Sequence, residues 1–250
     1  MVGGSTFAGL RLAVVPAPGG TAHVALMRAL RGLRLRWAHW TWLVVAWALL
    51  SLVLWLGLWM GSTGGGEQAP VLGLLDWQPS LWPTQPWRLW TSAFVHWSGY
   101  HLIVNLLACA ALVAWGNAAA LGARPTLAWL AAWPLTHVLL ATSPALVRYG
   151  GLSGVLHAGV AIGAWALLRQ GRGQRRWVGA LVLLGLLVKL GLEVPLLAHW
   201  LGLAATQISL VDAPGFAVAS YAHFTGTVAG LFCAAVSDLV LGLRPQRARF

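Results

Sequence analysis

Leu152-Ser153-Gly154-Val155-Leu156-His157-Ala158-Gly159-Val160-Ala161-Ile162-Gly163-Ala164-Trp165-Ala166-Leu167-Leu168 runs from the Gly150-Gly151 pair to Arg169. One serine and one histidine are its only polar side chains. The apolar residues do not alternate with polar ones, which argues against a strand and for a helix in an apolar medium. Crossing a bilayer takes about 20 largely apolar residues. Working outward, the same reading gives six spans, at 38–60, 98–117, 125–143, 152–169, 177–200 and 216–241. The third and fourth are short, interrupted by Pro134, Pro144 and the Gly150–Gly151 pair.

Composition agrees with this reading. The chain is 59% apolar and 8% charged, where a soluble domain carries roughly 25% charged residues. Mean hydropathy is +0.75. An ordinary water-soluble globule, a disordered chain, a coiled coil and a nucleic-acid binder are excluded, despite a net charge of +11. The 17 tryptophans suit a protein that meets two membrane–water interfaces. Just two cysteines, Cys109 and Cys233, exclude a disulfide scaffold and a multi-cysteine metal fold, and both lie in apolar runs, which favours packing roles.

Charge placement sets the expected topology. Six spans put both termini on one side. That side receives Arg11, Arg28, Arg31, Arg34, Arg36, Arg124, Arg169, Arg172, Arg175, Arg176, Arg244, Arg247 and Arg249, against Arg88 and Arg148 on the other. Such a bias predicts cytoplasmic termini, and anionic lipid accounts for the basic character. Three acids, Glu67, Asp76 and Asp212, fall on the outer side. The expected organisation is a basic cytoplasmic tail over 1–37, a six-helix unit over 38–241 and a basic tail over 242–250. The first tail lacks the compact apolar core of a signal peptide and is expected to hold an interfacial helix from Thr21 to Arg36. The outer Gly61–Val95 segment opens on Gly64–Gly66. It then carries Trp77, Pro79, Trp82, Pro83, Pro86, Trp87 and Trp90, which suits irregular backbone lying among headgroups.

Polar groups within spans are costly and mark candidate sites. His101 and Asn105 are four apart, so they share a helix face, with His96 nearer the outer interface; polar glue between helices is the plain alternative. Gly151-Leu152-Ser153-Gly154 opens the fourth span, placing a hydroxyl and its own N–H at a helix N-terminus, where developing negative charge is favoured. The plain alternative there is a small-residue seam. His223, Gly226 and Gly230 lie on one face of the sixth span, bare enough for close backbone packing that would carry His223 toward Ser153. Acyl transfer needs a nucleophile, a base and oxyanion donors, and these residue types supply all three. No carboxylate is well placed to orient His223: Asp238 is about four turns away on the same helix. A dyad is therefore expected rather than a triad.

These motifs resemble those of the rhomboid family of intramembrane serine proteases. The resemblance covers roughly Ala38 to Leu241. It rests on His96-x4-His101-x3-Asn105, Gly151-Leu152-Ser153-Gly154 and Ala222-His223-x2-Gly226-x3-Gly230 in the family's order, with Trp87-Arg88 and Thr91 ahead of them. It implies a six-transmembrane-helix all-α bundle, Ser153 as nucleophile, His223 as general base, and an oxyanion site of Asn105, His101 and the Ser153 N–H. It further implies a half-embedded first loop, and lateral substrate entry gated by the fifth helix and the cap after it. Tyr149 to His157, with Lys189-Leu190-Gly191-Leu192-Glu193, resembles the rhombosortase branch, which processes C-terminal Gly-Gly, helix and basic-tail signals. Two positions depart from that branch: Leu192 stands where an aromatic is usual, and Ala158 follows His157 where glycine is usual. The implied partners are transmembrane protein substrates and the bilayer of a bacterial inner membrane, with no cofactor.

Rival readings use the same residues. His157 shares a face with Ser153 but points along a parallel direction, which suits a structural role better than proton abstraction. Lys189 invites a Ser–Lys dyad, yet Glu193 one turn on is expected to neutralise it in a structural ion pair. His137 and His199 fall near span ends and are expected at the interface. Haem or metal ligation by the histidines lacks acidic partners and the favoured i, i+4 spacing. A non-catalytic rhomboid-like protein that binds membrane clients is the rival of another class.

Overall fold

The computed structural model describes residues 20–61, 69–143, 146–193 and 220–240, with the backbone alone for 20–38, 61, 69 and 70. Met1–Leu35 and Arg36–Phe250 form two compact units. The described helices are α1 (Gly20–Gly61), α2 (Ala69–Leu75), α3 (Arg88–Thr91), α4 (Gly99–Ala118), α5 (Ala123–Leu139), α6 (Ser153–Gln170), α7 (Gln174–Glu193) and α8 (Ser220–Val240). Short 3-10 turns cover Ser92–Phe94 and Leu140–Thr142. Among the described residues there is no strand, only an isolated antiparallel bridge between Trp77 and Tyr149.

Over its described residues, each of the six apolar segments read from the sequence is largely helical. Three, His39–Met60 within α1, α4 and α8, are long and apolar enough to cross a membrane, the mark of a membrane protein. α5 has 17 residues and contains Pro134. α7 begins on Gln174-Arg175-Arg176, so its apolar length is shorter than the helix. The helix expected over Thr21–Arg36 is present as backbone, continuous with the first apolar segment. The expectations for residues 1–19, 62–68, Pro144, 194–219 (with His199, Asp212 and the cap after the fifth helix) and 241–250 lie outside the described residues.

α6 is apolar nearly all round, and a helix of that kind is buried by its neighbours. Val155, Leu156, Ala158, Ala161, Ile162 and Ala164 are among its buried positions. Tryptophans pack against its small residues: a Cβ on Gly159 would run into the Trp129 indole, and one on Gly163 into that of Trp115. This corrects the expectation that the indoles serve the interfaces. Trp40, Trp47, Trp77 and Trp129 are fully buried or nearly so. Trp40 and Trp129 stand 4.2 Å apart by ring centroids, and Trp47 meets Trp129 edge-on at 4.8 Å. Two of these rings enter the core because their N–H groups find carbonyls, Trp40 on Leu112 at 2.9 Å and Trp129 on Val155 at 2.6 Å. Trp42, Trp59, Trp87, Trp90, Trp97 and Trp177 remain exposed, as do Leu181, Leu184 and Val188 of α7.

α8 packs on α6 backbone to backbone. A Cβ on Gly226 would overlap the Gly154 carbonyl, and one on Gly230 would fall on the carbonyl of Ala158. In hydrocarbon, where lipid tails are as apolar as leucine, such close approach supplies the dispersion energy that holds helices together. Gly226→Ala is expected to destabilise the protein by about 1–3 kcal/mol or more, read as a lowered unfolding temperature in detergent. Gly185→Ala on α7, where nothing lies within 4 Å of the added methyl, is expected not to lower it and to raise stability by up to about 1 kcal/mol.

Candidate active site

The glycine contact between α6 and α8 fixes the centre of the site. Ser153 is the first residue of α6, and Gly154 beside it lies under the backbone of Ala222, the residue before His223. The first N–H groups of a helix have no partner within it, so the Ser153 amide sits at the positive end of the α6 dipole. The turn that delivers Ser153 needs glycine: Gly151 has φ +126°, and a Cβ there would stand 2.6 Å from the His101 ring. Its N–H donates to Ser92 O at 2.9 Å.

Tyr149 clamps this turn. Its buried hydroxyl donates to Gly151 O at 2.8 Å, accepts from Gly154 N–H at 3.2 Å and lies 3.5 Å from Ser153 Oγ. Burial pushes its phenol above the ordinary range, so it stays protonated and can keep donating. Ser153 Oγ meets this hydroxyl and makes no hydrogen bond to His223.

α4 brings the donors. Ser98 caps it, accepting from His101 N–H at 3.2 Å. Asn105 is buried and its amide donates to His101 O at 3.0 Å and to His96 Nε2 at 3.2 Å. His96 then carries its proton on Nδ1, which donates to Phe94 O at 3.1 Å. Burial, reinforced by His101, holds His96 down at about 4, so it is neutral at ordinary pH. His96 and His101 lie 4.9 Å apart by ring centroids.

The imidazole of His223 is buried. His157 stacks on it at 4.0 Å with planes 14° apart, while His157 Nδ1 donates to Ser153 O at 2.7 Å. The ring of His157 is thus spent on packing and on the serine's own carbonyl. At the ring edge, His223 Nδ1 is 2.8 Å from Glu193 Oε2 and 3.3 Å from Lys189 Nζ. Lys189 also reaches Glu193 Oε1 at 2.6 Å. The expected Lys189–Glu193 pair is present. The expectation that no carboxylate approaches His223 is overturned: Glu193 arrives from α7, across helices, where sequence spacing gives no sign of it. Asp238 instead bonds Trp165 Nε1 at 3.0 Å and pairs with Arg124 and Arg169 at the far end of α8.

Two further anchors were not foreseen. Asp76, fully buried, pairs with buried Arg88 at 3.1 Å and with half-exposed Arg148 at 2.6 Å. Arg88 also donates to the Asp76 and Gly73 carbonyls at 2.6 and 2.9 Å. Next to this cluster Trp77 and Tyr149 exchange backbone hydrogen bonds at 2.8 and 2.9 Å, tying the tryptophan-rich segment to the serine turn. His137, expected at the interface, is instead fully buried, because its Nδ1 donates to Leu89 O at 2.6 Å and so pins α5 to α3. A signal for the first anchor was the Trp87-Arg88 pair; for the second there was none.

An apolar cleft of about 240 Å³ opens between α4, α6 and α7, lined by Ala108, Leu112, Trp115, Leu156 and Val182, with His157 at its polar edge. Among the described residues no group of three or more His, Cys, Asp or Glu is arranged around a metal position. No family model matches the chain, and no curated protein matches it.

Breaking a buried ion pair costs about 3–5 kcal/mol, because a charge is left without its partner. Asp76→Asn is therefore expected to lower the unfolding temperature strongly. Arg148→Ala, which removes a half-exposed arm, is expected to cost at most about 1 kcal/mol. Thermal unfolding of both variants in detergent checks the difference.

Proposed function

We propose that this chain is a rhomboid-type intramembrane serine protease, a six-span, multi-pass protein of a bacterial inner membrane with both termini cytoplasmic. The observation that carries the reading is the glycine seam of α6 and α8. It sets Ser153 and His223 at one helix crossing, with the His101 ring of α4 against the same turn and Asn105 bonded to the His101 carbonyl. The lateral cleft between α4, α6 and α7 supports entry of a helix from the bilayer.

In this mechanism a transmembrane segment docks sideways and unwinds near Ser153, because a helix hides its scissile carbonyl in hydrogen bonds. Ser153 Oγ attacks the carbonyl carbon while His223 takes its proton. Nδ1 of His223 faces Glu193, which leaves Nε2 for that proton. The oxyanion rests on the Ser153 N–H, with Asn105 and His101 turning their donors to it. His223 returns the proton to the leaving amine, and water hydrolyses the acyl-enzyme. The Tyr149-to-His157 and Lys189-to-Glu193 stretches support a rhombosortase-like substrate class, proteins ending in Gly-Gly, a helix and a basic tail.

One observation favours a second reading. Ser153 Oγ bonds Tyr149, not His223, and both N–H groups of the Asn105 amide are engaged. A non-catalytic protein that holds membrane clients without cutting them would keep such a resting arrangement.

Ser153→Ala and His223→Ala are each expected to abolish cleavage at near-normal protein levels. Asn105→Ala is expected to slow it about a hundred- to a thousand-fold. The check is proteomics of membranes carrying wild type against Ser153→Ala, together with labelling by a fluorophosphonate. Equal labelling of wild type and Ser153→Ala, with no uncut protein accumulating, favours the client-binding reading.

A further inference from the structure

We propose that Glu193 is the positioning residue for His223, making the site a Ser–His–Glu relay assembled from three helices; this rests on the protease reading above. A hydroxyl gives up its proton only to a bare imidazole nitrogen, so the ring must hold its own proton on the nitrogen that faces away from Ser153. Glu193 Oε2 lies 2.8 Å from His223 Nδ1, the distance of a charge-assisted hydrogen bond. A carboxylate can only accept, so this contact fixes the proton on Nδ1 and bares Nε2.

Lys189 makes the choice consequential. Its Nζ is 3.3 Å from the same Nδ1 and can only donate, which would force the opposite tautomer with the proton on Nε2. The shorter carboxylate contact outcompetes it, and Lys189 spends its stronger bond, 2.6 Å, on Glu193 Oε1. The pair therefore acts as a selector: the acid sets the tautomer, and the ammonium balances the acid's charge near lipid. The other groups facing the ring are His157, stacked on it, and His101 across the serine turn; neither offers an acceptor to Nδ1. As the imidazolium forms during attack, the carboxylate stabilises it in place, with no rearrangement.

The test uses the full-length protein in detergent and a fluorophosphonate as the probe. Glu193→Gln removes the charge and adds an amide N–H beside Nδ1, so it and Lys189 both favour the unproductive tautomer. It is expected to lower the maximal labelling rate of Ser153 on the order of a hundred-fold, with probe affinity and unfolding temperature unchanged. Glu193→Asp is expected to recover part of the rate. In the ¹⁵N spectrum of histidine-labelled wild type, His223 is expected to carry its proton on Nδ1, and Glu193→Gln to move it to Nε2. A wild-type labelling rate in Glu193→Gln, or a wild-type spectrum with the proton on Nε2, overturns the assignment. If Glu193→Gln does not fold, the wild-type spectrum decides alone. Labelling of Ser153→Ala at the wild-type rate fails the protease reading instead, so the two failures are told apart.

Discussion

Everything at the site depends on the absence of side chains where α6 and α8 cross. Gly226 and Gly230 present bare backbone to the carbonyls of Gly154 and Ala158, and no other residue type would allow the same separation. The contact is made of dispersion and fixed dipoles, which in hydrocarbon is the principal attraction available between helices. Its geometric consequence is larger than its energy. Ser153 begins one helix and His223 lies one turn before Gly226 on the other, so seating the glycines also brings the hydroxyl's turn and the imidazole to a common level. A methyl group in the seam would separate them before it unfolded anything.

A second constraint acts from outside. Desolvating Asp76 and Arg88 together is expensive, and their attraction repays that cost only with good geometry and extra hydrogen bonds. Arg88 satisfies this with its donations to the Gly73 and Asp76 carbonyls and to Gln85 Oε1. Such a cluster adds little net stability over an apolar core of equal volume. What it adds is a fixed position for Trp77, whose backbone holds Tyr149, whose hydroxyl in turn holds the serine turn. The chain from Asp76 to Gly154 is short: Trp77 follows Asp76 directly, and the contacts beyond it are hydrogen bonds.

The apolar segments were legible because an apolar surrounding writes itself as long runs, and over its described residues each run is largely helical. The glycine faces were legible for the same kind of reason: Gly226 and Gly230 are spaced to share a face, and helical geometry follows from spacing. Contacts between helices were not legible. Glu193 read naturally as the partner of Lys189 because they are four apart on one helix; its approach to His223 depends on how α7 leans on α8, which no spacing encodes. His137 and the buried tryptophans were misread for a related reason. Histidine and indole are assigned to interfaces by their polar atoms, but a carbonyl on a neighbouring helix, such as Leu89 O or Val155 O, satisfies that atom and lets the ring go inside.

The placement of the Lys189–Glu193 pair bears on what it does. Both side chains are partly exposed, Lys189 at 43% and Glu193 at 30%, and an i, i+4 pair of that kind contributes only about 0.3–0.5 kcal/mol. Against this stands the cost of holding two charges at the edge of an apolar bundle, beside a buried ring. On stability alone, two leucines would serve α7 better. The geometry departs from a simple surface pair in one respect: the second carboxylate oxygen, which a lysine on its own leaves to water, is turned inward to the His223 nitrogen. A charge kept where it is costly and aimed at a buried imidazole gains little for the fold; under the proposed protease reading, what it gains is control of the imidazole's proton.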